Sequence, residues 1–320
     1  MNESTIPENG KSLLVVEGLK KTFPGGVRAV DGVSFFIPVN STLGLVGESG
    51  CGKSTTGRAV LRLIDPTAGR IVFDGQDITH HSHTEMVPLR RNMQVIFQDP
   101  YASLNPRMTV GRILEEPFRI HNGGAKPEHR DRVAELLRKV GLSPDDAKRY
   151  PHAFSGGQRQ RIGIARAVAL RPCLIVADEA VSALDVSVKA QILNLLQALQ
   201  DEMGLSYLFI SHDMGVVEMF CDRVAVMYLG KIVEMASSET LYASPRHPYT
   251  EALLDAIPKM DAVRPRERKV VAGDAPSASN PPAGCAFHPR CPIKEKQCET
   301  EVPELKEVAP GHWVACHLRS

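Results

Sequence analysis

The chain has 320 residues and a formal net charge of +1. That length accommodates one large domain plus an extension, and the near-neutral balance gives no footing for a nucleic acid or an acidic partner. No apolar run approaches the roughly 20 residues that a helix needs to span a bilayer. Residues 1–11 are polar and do not read as a signal peptide, so the expectation is a cytoplasmic protein that reaches any membrane through partners.

In chain order, residues 1–11 read as a disordered lead, and residues 13–39 and 70–78 as strands of an antiparallel lobe. Between them Thr42-Leu43-Gly44-Leu45-Val46 has the length and apolarity of a buried strand. It runs into Gly47-Glu48-Ser49-Gly50-Cys51-Gly52-Lys53-Ser54, which matches G-x-x-x-x-G-K-[ST]. A helix is predicted from Thr55 to about residue 63. Strand, loop and helix are the setting in which glycines turn backbone N–H groups inward around phosphate oxygens, with the helix N-terminus adding positive charge. Lys53 then reaches the outer phosphates and the Ser54 hydroxyl ligates Mg²⁺. A glycine-rich turn with a chance lysine is the alternative, and the flanking elements argue against it.

Residues 93–97 read as a strand ending at Gln98. From about 100 to 170 the chain is richer in helix formers, with helices predicted over 129–140 and 155–170. Ser155 is a suitable N-cap, and Gly156 and Gly157 beside it expose N–H groups at a dipole-positive end. With Gln158 they offer a second phosphate-binding surface. One nucleotide does not need two such surfaces on the same face. The simplest arrangement is a dimer in which each chain's Ser155–Gln158 closes over its partner's nucleotide. A capped surface helix is the alternative.

Cys173-Leu174-Ile175-Val176-Ala177-Asp178-Glu179 is a short apolar run ending in two acids. It suits a buried parallel strand, whose carboxyl end is where open α/β sheets place their chemistry. Asp178 suits Mg²⁺, directly or through water, and Glu179 suits polarising a water that attacks a γ-phosphate. Residues 207–210 form another apolar run, ending near His212 at the same sheet edge. Residues 223–235 read as a hairpin turning at Leu229-Gly230-Lys231, and 250–257 as a helix. Over 258–283 apolar periodicity gives way to Pro, Ala, Ser and charge, as in a linker.

Of the 7 cysteines, Cys51 lies in the glycine loop, and Cys173 and Cys221 sit in apolar or helical contexts. Cys285, Cys291, Cys298 and Cys316 crowd the end. A reducing cytoplasm disfavours disulfides. Four thiols in a short Pro-rich segment with little core of its own suggest a metal staple. Their spacing is neither the paired C-x₂₋₄-C of zinc ribbons nor a ferredoxin run. Four free thiols are the alternative. His288, His312 and His317 are candidate spare ligands but read as surface residues.

From about residue 13 to residue 249 the sequence resembles the ATP-binding subunits of ABC transporters. Ser155-Gly156-Gly157-Gln158 looks like their signature, Gln98 like the Q-loop, Ser182-Ala183-Leu184-Asp185 like the D-loop and His212 like the switch histidine. Phe23 stands where the family has the aromatic that stacks on adenine. The resemblance implies an α/β P-loop NTPase fold: a RecA-like core, an antiparallel β lobe and a helical subdomain at about 100–170. The ABC ATPase domain would span 12–257, followed by a linker over 258–283 and a small Cys-rich extension over 284–320. It implies ATP and Mg²⁺, with Gln98 ligating Mg²⁺ or water, His212 donating to the γ-phosphate and Asp185 in the dimer interface. Blander roles are a strand-end amide, a turn histidine, a core phenylalanine and a helix cap. Ala180 departs from the family's proline after the glutamate, but proline is neither acid nor ligand.

The stretch from Gln98 to Arg107 and Ser244-Pro245-Arg246-His247-Pro248-Tyr249-Thr250 resemble the peptide and nickel importers, and Asp99-Pro100-Tyr101 the F-type subunit of dipeptide and oligopeptide systems. This implies import of peptides at the cytoplasmic face of the inner membrane. The implied partners are a related D-type ATPase as heterodimer partner, two membrane permease subunits and an extracytoplasmic peptide-binding protein, with no nucleic acid. An ABC ATPase for nickel or another small solute is the runner-up. A non-transport ABC ATPase is disfavoured by the single cassette and the lack of a basic tract. Gly284-Cys285-Ala286-Phe287-His288-Pro289-Arg290-Cys291-Pro292 resembles the same importers' C-terminal extension, whose four cysteines are taken to hold a [4Fe–4S] cluster; zinc is the second choice. Lying far in sequence from every ATP motif, this segment is expected to serve structure or partner docking, not hydrolysis.

Overall fold

The computed structural model describes residues 12–99, 101–122, 128–257 and 276–320. The 1–11 lead, Pro100 and residues 258–275 of the expected linker lie outside these. The described residues form two compact units: those up to Thr79 with those from Phe209 onward, and those from His80 to Leu208.

The first unit opens with β1 (Ser12–Thr22) and β2 (Arg28–Pro38), then β3 (Thr42–Val46), α1 (Lys53–Val60), β4 (Ala68–Phe73) and β5 (Gln76–Asp77). β1, β2, β4 and β5 form an antiparallel sheet in the order β2-β1-β4-β5. Val33, Phe35 and Ile37 are buried at alternate positions of β2, the period of a half-buried strand. Leu14 pairs with Ile37 on one side and Phe73 on the other. β3 is instead buried at every residue, as in a sheet covered on both faces. α1 starts earlier than predicted and ends sooner, where Arg62 adopts a left-handed φ of 51°.

The second unit holds α2 (His83–Leu89), β6 (Met93–Ile96), α3 (Val110–Asn122), α4 (His129–Lys139), α5 (Gly156–Val168), β7 (Leu174–Asp178) and α6 (Val186–Met203). α3, α4 and α5 pack on one another, and Leu114, Val133, Leu137 and Ile164 are buried there. The stretch expected to be helical is so. α6, which ends at left-handed Gly204, was not foreseen. β8 (Ser206–Ser211) is shared by the division, Ser206 to Leu208 falling in this unit and Phe209 to Ser211 in the first.

The first unit resumes with α7 (Met214–Phe220), β9 (Arg223–Tyr228), β10 (Lys231–Ser237), α8 (Ser238–Ala243) and α9 (Pro248–Asp255), followed by α10 (Gln297–Thr300), β11 (Lys306–Ala309) and β12 (His312–Val314). β9 runs parallel to β3, with Leu45 opposite Ala225. The β9–β10 hairpin turns where predicted, on Leu229 and Gly230, both at positive φ, the geometry a tight two-residue hairpin requires. β12 then adds antiparallel to β10, pairing Glu234 with Val314, and β11 adds to β12. The C-terminal segment is therefore an edge of a sheet.

Glu234 joins that edge to the loop before α9. Its buried carboxylate accepts the N–H groups of Arg246 (2.7 Å) and His247 (2.9 Å) and meets His312 Nε2 at 2.7 Å. His312 is buried, which corrects its reading as a surface residue. His247 caps α9, its Nδ1 accepting the Tyr249 N–H at 3.1 Å. Pro248 fills the first turn, where a missing N–H costs nothing.

Burial, with the Arg319 guanidinium nearby, pushes the His247 imidazole from 6.5 down to about 3. Between those values the unfolded chain binds a proton that the folded chain refuses, so stability is lost as pH falls below the unfolded value, at about 1.4 kcal/mol per pH unit. His247→Asn keeps a capping acceptor and removes the titration. Urea midpoints measured from about pH 7 to pH 5 should fall more steeply for the wild type than for His247→Asn.

Candidate active site

In the first unit β3 delivers the chain into the glycine loop. Gly47 has φ 148°, and a Cβ there would stand 2.1 Å from the Met227 carbonyl oxygen of β9. Gly52, the left-handed N-cap of α1 at φ 106°, would place a Cβ 2.0 Å from the Ala29 carbonyl oxygen. Only glycine fits either place. The Cys51 carbonyl accepts the Gly230 N–H at 2.9 Å, tying the loop to the β9–β10 turn. Lys53 is buried, and its Nζ donates to the carbonyls of Gly47 (2.8 Å) and Glu48 (2.9 Å). Burial raises the Cys51 pKa, so it packs as a thiol. Ser54 and Thr55 stand in the first turn of α1, which carries no acidic residue. Its N-terminal field is left positive, a ready anion cradle.

Phe23 and His212 also fall in the first unit. Phe23 begins a turn, donating its N–H to the Val27 carbonyl at 2.9 Å, and its ring is 37% exposed with the Lys21 ammonium 5.2 Å from its centroid. It is open enough to stack. His212 is exposed just beyond β8, beside an α7 whose N-terminus Asp213 caps.

The second unit assembles Gln98 and Glu179. β6 and β7 are parallel, with Ile96 opposite Ala177. Two residues further along each strand, Gln98 Nε2 donates to Glu179 Oε2 at 2.8 Å. Asp178 is buried at the end of β7. Glu179 has φ 49°, a left-handed conformation that costs a residue with a Cβ roughly 1–2 kcal/mol. Such strain persists where the surroundings enforce it. Here the Glu179 carbonyl accepts both the N–H and the hydroxyl of Ser182, at 3.1 and 3.0 Å.

Ser155 caps α5 as predicted. Its Oγ accepts the Gln158 N–H at 3.3 Å, and Gln158 Oε1 accepts the Ser155 N–H at 3.0 Å, a closed capping box. Gly157 lies against Val188 of α6, where a Cβ would come within 2.6 Å of Cγ1. Arg159 anchors the turn, donating to the carbonyls of Pro151 and His152 with its guanidinium 3.8 Å from the Tyr101 ring centroid. Asp185 occupies the N-cap position of α6 but makes no side-chain cap.

The tail cysteines do not form the expected ligand set. The Cys285 N–H donates to the Cys298 carbonyl at 2.8 Å. Burial pushes the Cys285 thiol up to about 11, opposed by the Phe287 N–H and aided by the charges of Cys298, Cys291 and Cys316. The four thiols thus share a neighbourhood. Yet among the described residues no three His, Cys, Asp or Glu side chains are grouped to hold a metal ion. The segment is organised by its own backbone bonds and by Phe287, buried against Tyr228 and Tyr249. It has the apolar anchor that its composition did not advertise.

A family profile described as ABC transporter matches residues 30–182, and one described as oligopeptide/dipeptide transporter, C-terminal region, matches residues 233–298. The chain belongs to the ATP-binding proteins of ABC transporters. It is 54% identical, over 98% of its length and 99% of the relative's, to the oligopeptide transport ATP-binding protein AppF of Bacillus subtilis. A peptide import ATP-binding protein of Brucella ovis is 57% identical over 95% of this chain and 97% of its own. CbiO1 of Clostridium perfringens, part of the cbiONQ transporter complex, superposes with a TM-score of 0.67 at 27% identity, covering 73% of this chain and 92% of that one. The dimeric cassette MJ0796 does so with a TM-score of 0.65 at 29% identity, covering 70% and 98%.

Gly52→Ala tests the cradle. Its Cβ would meet backbone rather than a movable side chain, so the loop must shift. Titration with a fluorescent ATP analogue should show affinity reduced at least about tenfold, on the scale of backbone strain at a functional site, with the far-ultraviolet circular dichroism unchanged.

Proposed function

We propose that this chain is the ATP-hydrolysing subunit of an importer of di- or oligopeptides. Similarity along the whole length to peptide import ATP-binding proteins, reaching into the C-terminal region, carries the reading. The glycine loop, Gly47 to Ser54 with Thr55, binds the phosphates. Phe23 stacks on adenine. Ser54, Gln98 and Asp178 hold Mg²⁺, which when bound supplies charge neutralisation to the phosphates. The buried acid at a strand end and the hydroxyl in the first helical turn are donors of the oxygen type that Mg²⁺ takes. Glu179 polarises the attacking water, and His212 donates to the γ-phosphate.

Ser155–Gln158 and Asp185 serve a nucleotide held by a partner. The capped, exposed N-terminus of α5 supports this reading, as does the dimeric form of the similar cassette MJ0796. The proposed partner is a second, related ABC ATPase, with two membrane permease subunits and an extracytoplasmic peptide-binding protein completing the transporter. No helix among the described residues is long and apolar enough to cross a membrane, in keeping with peripheral placement at the cytoplasmic face of the inner membrane through those subunits.

Glu179→Gln should retain nucleotide affinity and lower phosphate release in the assembled transporter by on the order of 10² to 10⁴. Turnover close to wild type would remove Glu179 from its role. Peptide-stimulated hydrolysis in the same assay, against nickel or another small solute, reads the cargo.

Metal in the tail rests on the shared neighbourhood of Cys285, Cys291, Cys298 and Cys316 and on resemblance alone. Metal content decides it. Protein purified without oxygen should carry roughly four irons per chain for a [4Fe–4S] cluster, and one zinc would install the runner-up. Neither metal in a folded sample leaves four ordinary thiols.

A further inference from the structure

The glycine loop is held at its second residue by a side chain 242 positions away. Arg290 closes the short turn His288–Arg290 that follows Cys285. Its Nη1 donates to Glu48 Oε2 at 2.8 Å and its Nη2 to Glu48 Oε1 at 2.9 Å. This is the parallel fork that makes arginine–carboxylate pairs geometrically specific. Nη1 also lies 3.4 Å from the Tyr228 hydroxyl. The Arg290 side chain is only 7% exposed, that of Glu48 31%. Beneath the pair, the buried Phe287 ring meets Tyr228 edge-on at 5.3 Å and lies 5.4 Å from Tyr249. Tyr249 accepts the Glu48 N–H at 2.8 Å. Glu48 is thereby held at three groups: its N–H by Tyr249, its carbonyl by Lys53 and its carboxylate by Arg290.

Glu48 is the only acid between Gly47 and Ser54. A carboxylate on a loop that gathers phosphates repels them unless it is neutralised, and repulsion acts strongly where water is partly excluded. Arg290 supplies that neutralisation. Its own charge is secure, since the bond to Glu48 raises its pKa despite burial.

We propose that Arg290 is a positioning residue for nucleotide binding: by pairing with Glu48 it cancels the loop's one carboxylate and fixes the loop's first turn. Docking of the segment around residues 285–291 thereby sets the affinity of the loop for nucleoside triphosphate. This rests on the reading of the loop as the nucleotide site, and it gives the tail a part in nucleotide binding beside the structural role expected of it.

The test is a double-mutant cycle on the full chain, read as affinity for a fluorescent ATP analogue by titration at low and high salt. Arg290→Met leaves the Glu48 carboxylate uncompensated and should weaken binding about tenfold or more, with the deficit shrinking as salt rises. In a Glu48→Gln background the same Arg290→Met change should cost no more than about threefold, because the charge it exposed is gone. Arg290→Lys, which keeps the charge and loses the fork, should fall between. A merely structural arginine would lower the melting temperature without altering the affinity of the folded protein, and Glu48→Gln would not rescue it. Wild-type affinity in Arg290→Met overturns the proposal. So does a tenfold gap between Glu48→Gln and Glu48→Gln/Arg290→Met, a comparison that stands even where Arg290→Met alone fails to fold. A wild-type chain that binds no ATP analogue fails differently, since it overturns the nucleotide reading of the loop itself.

Discussion

At the exit of β3, the Cα of Gly47 faces the Met227 carbonyl so closely that a Cβ would stand 2.1 Å from its oxygen. β9 supplies that carbonyl, and its parallel register with β3 fixes the approach. Glycine at position 47 is what lets β9 lie this close to the loop. β9 is in turn held by β10, and β10 by β12 near the end of the chain. Cradle, hairpin and tail are thus consecutive layers of one hydrogen-bonded sheet. The Gly230 N–H on the Cys51 carbonyl and the Arg290 fork on Glu48 add two direct ties between the loop and these layers.

The second unit solves its own problem by register. A parallel pair in which Ile96 faces Ala177 carries Gln98 and Glu179 to the same height beyond their strands, and their side chains close the gap. The left-handed backbone at Glu179 is an expense that ordinary strand ends avoid, since αL suits glycine and asparagine far better than a glutamate. The Glu179 carboxylate is held beyond its strand end by this strained backbone and by the Gln98 amide. The capping box of Ser155 and Gln158 similarly fixes the first turn of α5, with Arg159 stacked on Tyr101 as its brace.

The tail is where residue types said least about packing. Four cysteines among prolines pointed to a metal staple; among the described residues no three such side chains are grouped to hold a metal ion, and Phe287 provides an apolar anchor. One phenylalanine in a Pro-rich stretch carries no periodicity, so its burial against Tyr228 and Tyr249 is invisible to pattern. β11 and β12 are too short to show alternation. His312 read as a surface group because a lone histidine just after Pro310-Gly311 ordinarily is one; the buried Glu234 that receives it is 78 residues away.

Local rules were enough for the strand, loop and helix around Lys53, for the Ser155 cap, for the hairpin at Leu229 and Gly230, and for the acids that end β7. Each depends on neighbours a few residues apart: a backbone angle only glycine tolerates, a side chain that bonds an N–H three positions on, an apolar run as long as a buried strand. The meeting of Arg290 with Glu48, of Glu234 with His312 and of Gln98 with Glu179 depends on sheet register and on packing between distant segments. No periodicity encodes such meetings, because they are made by atoms that become neighbours only once the chain has folded.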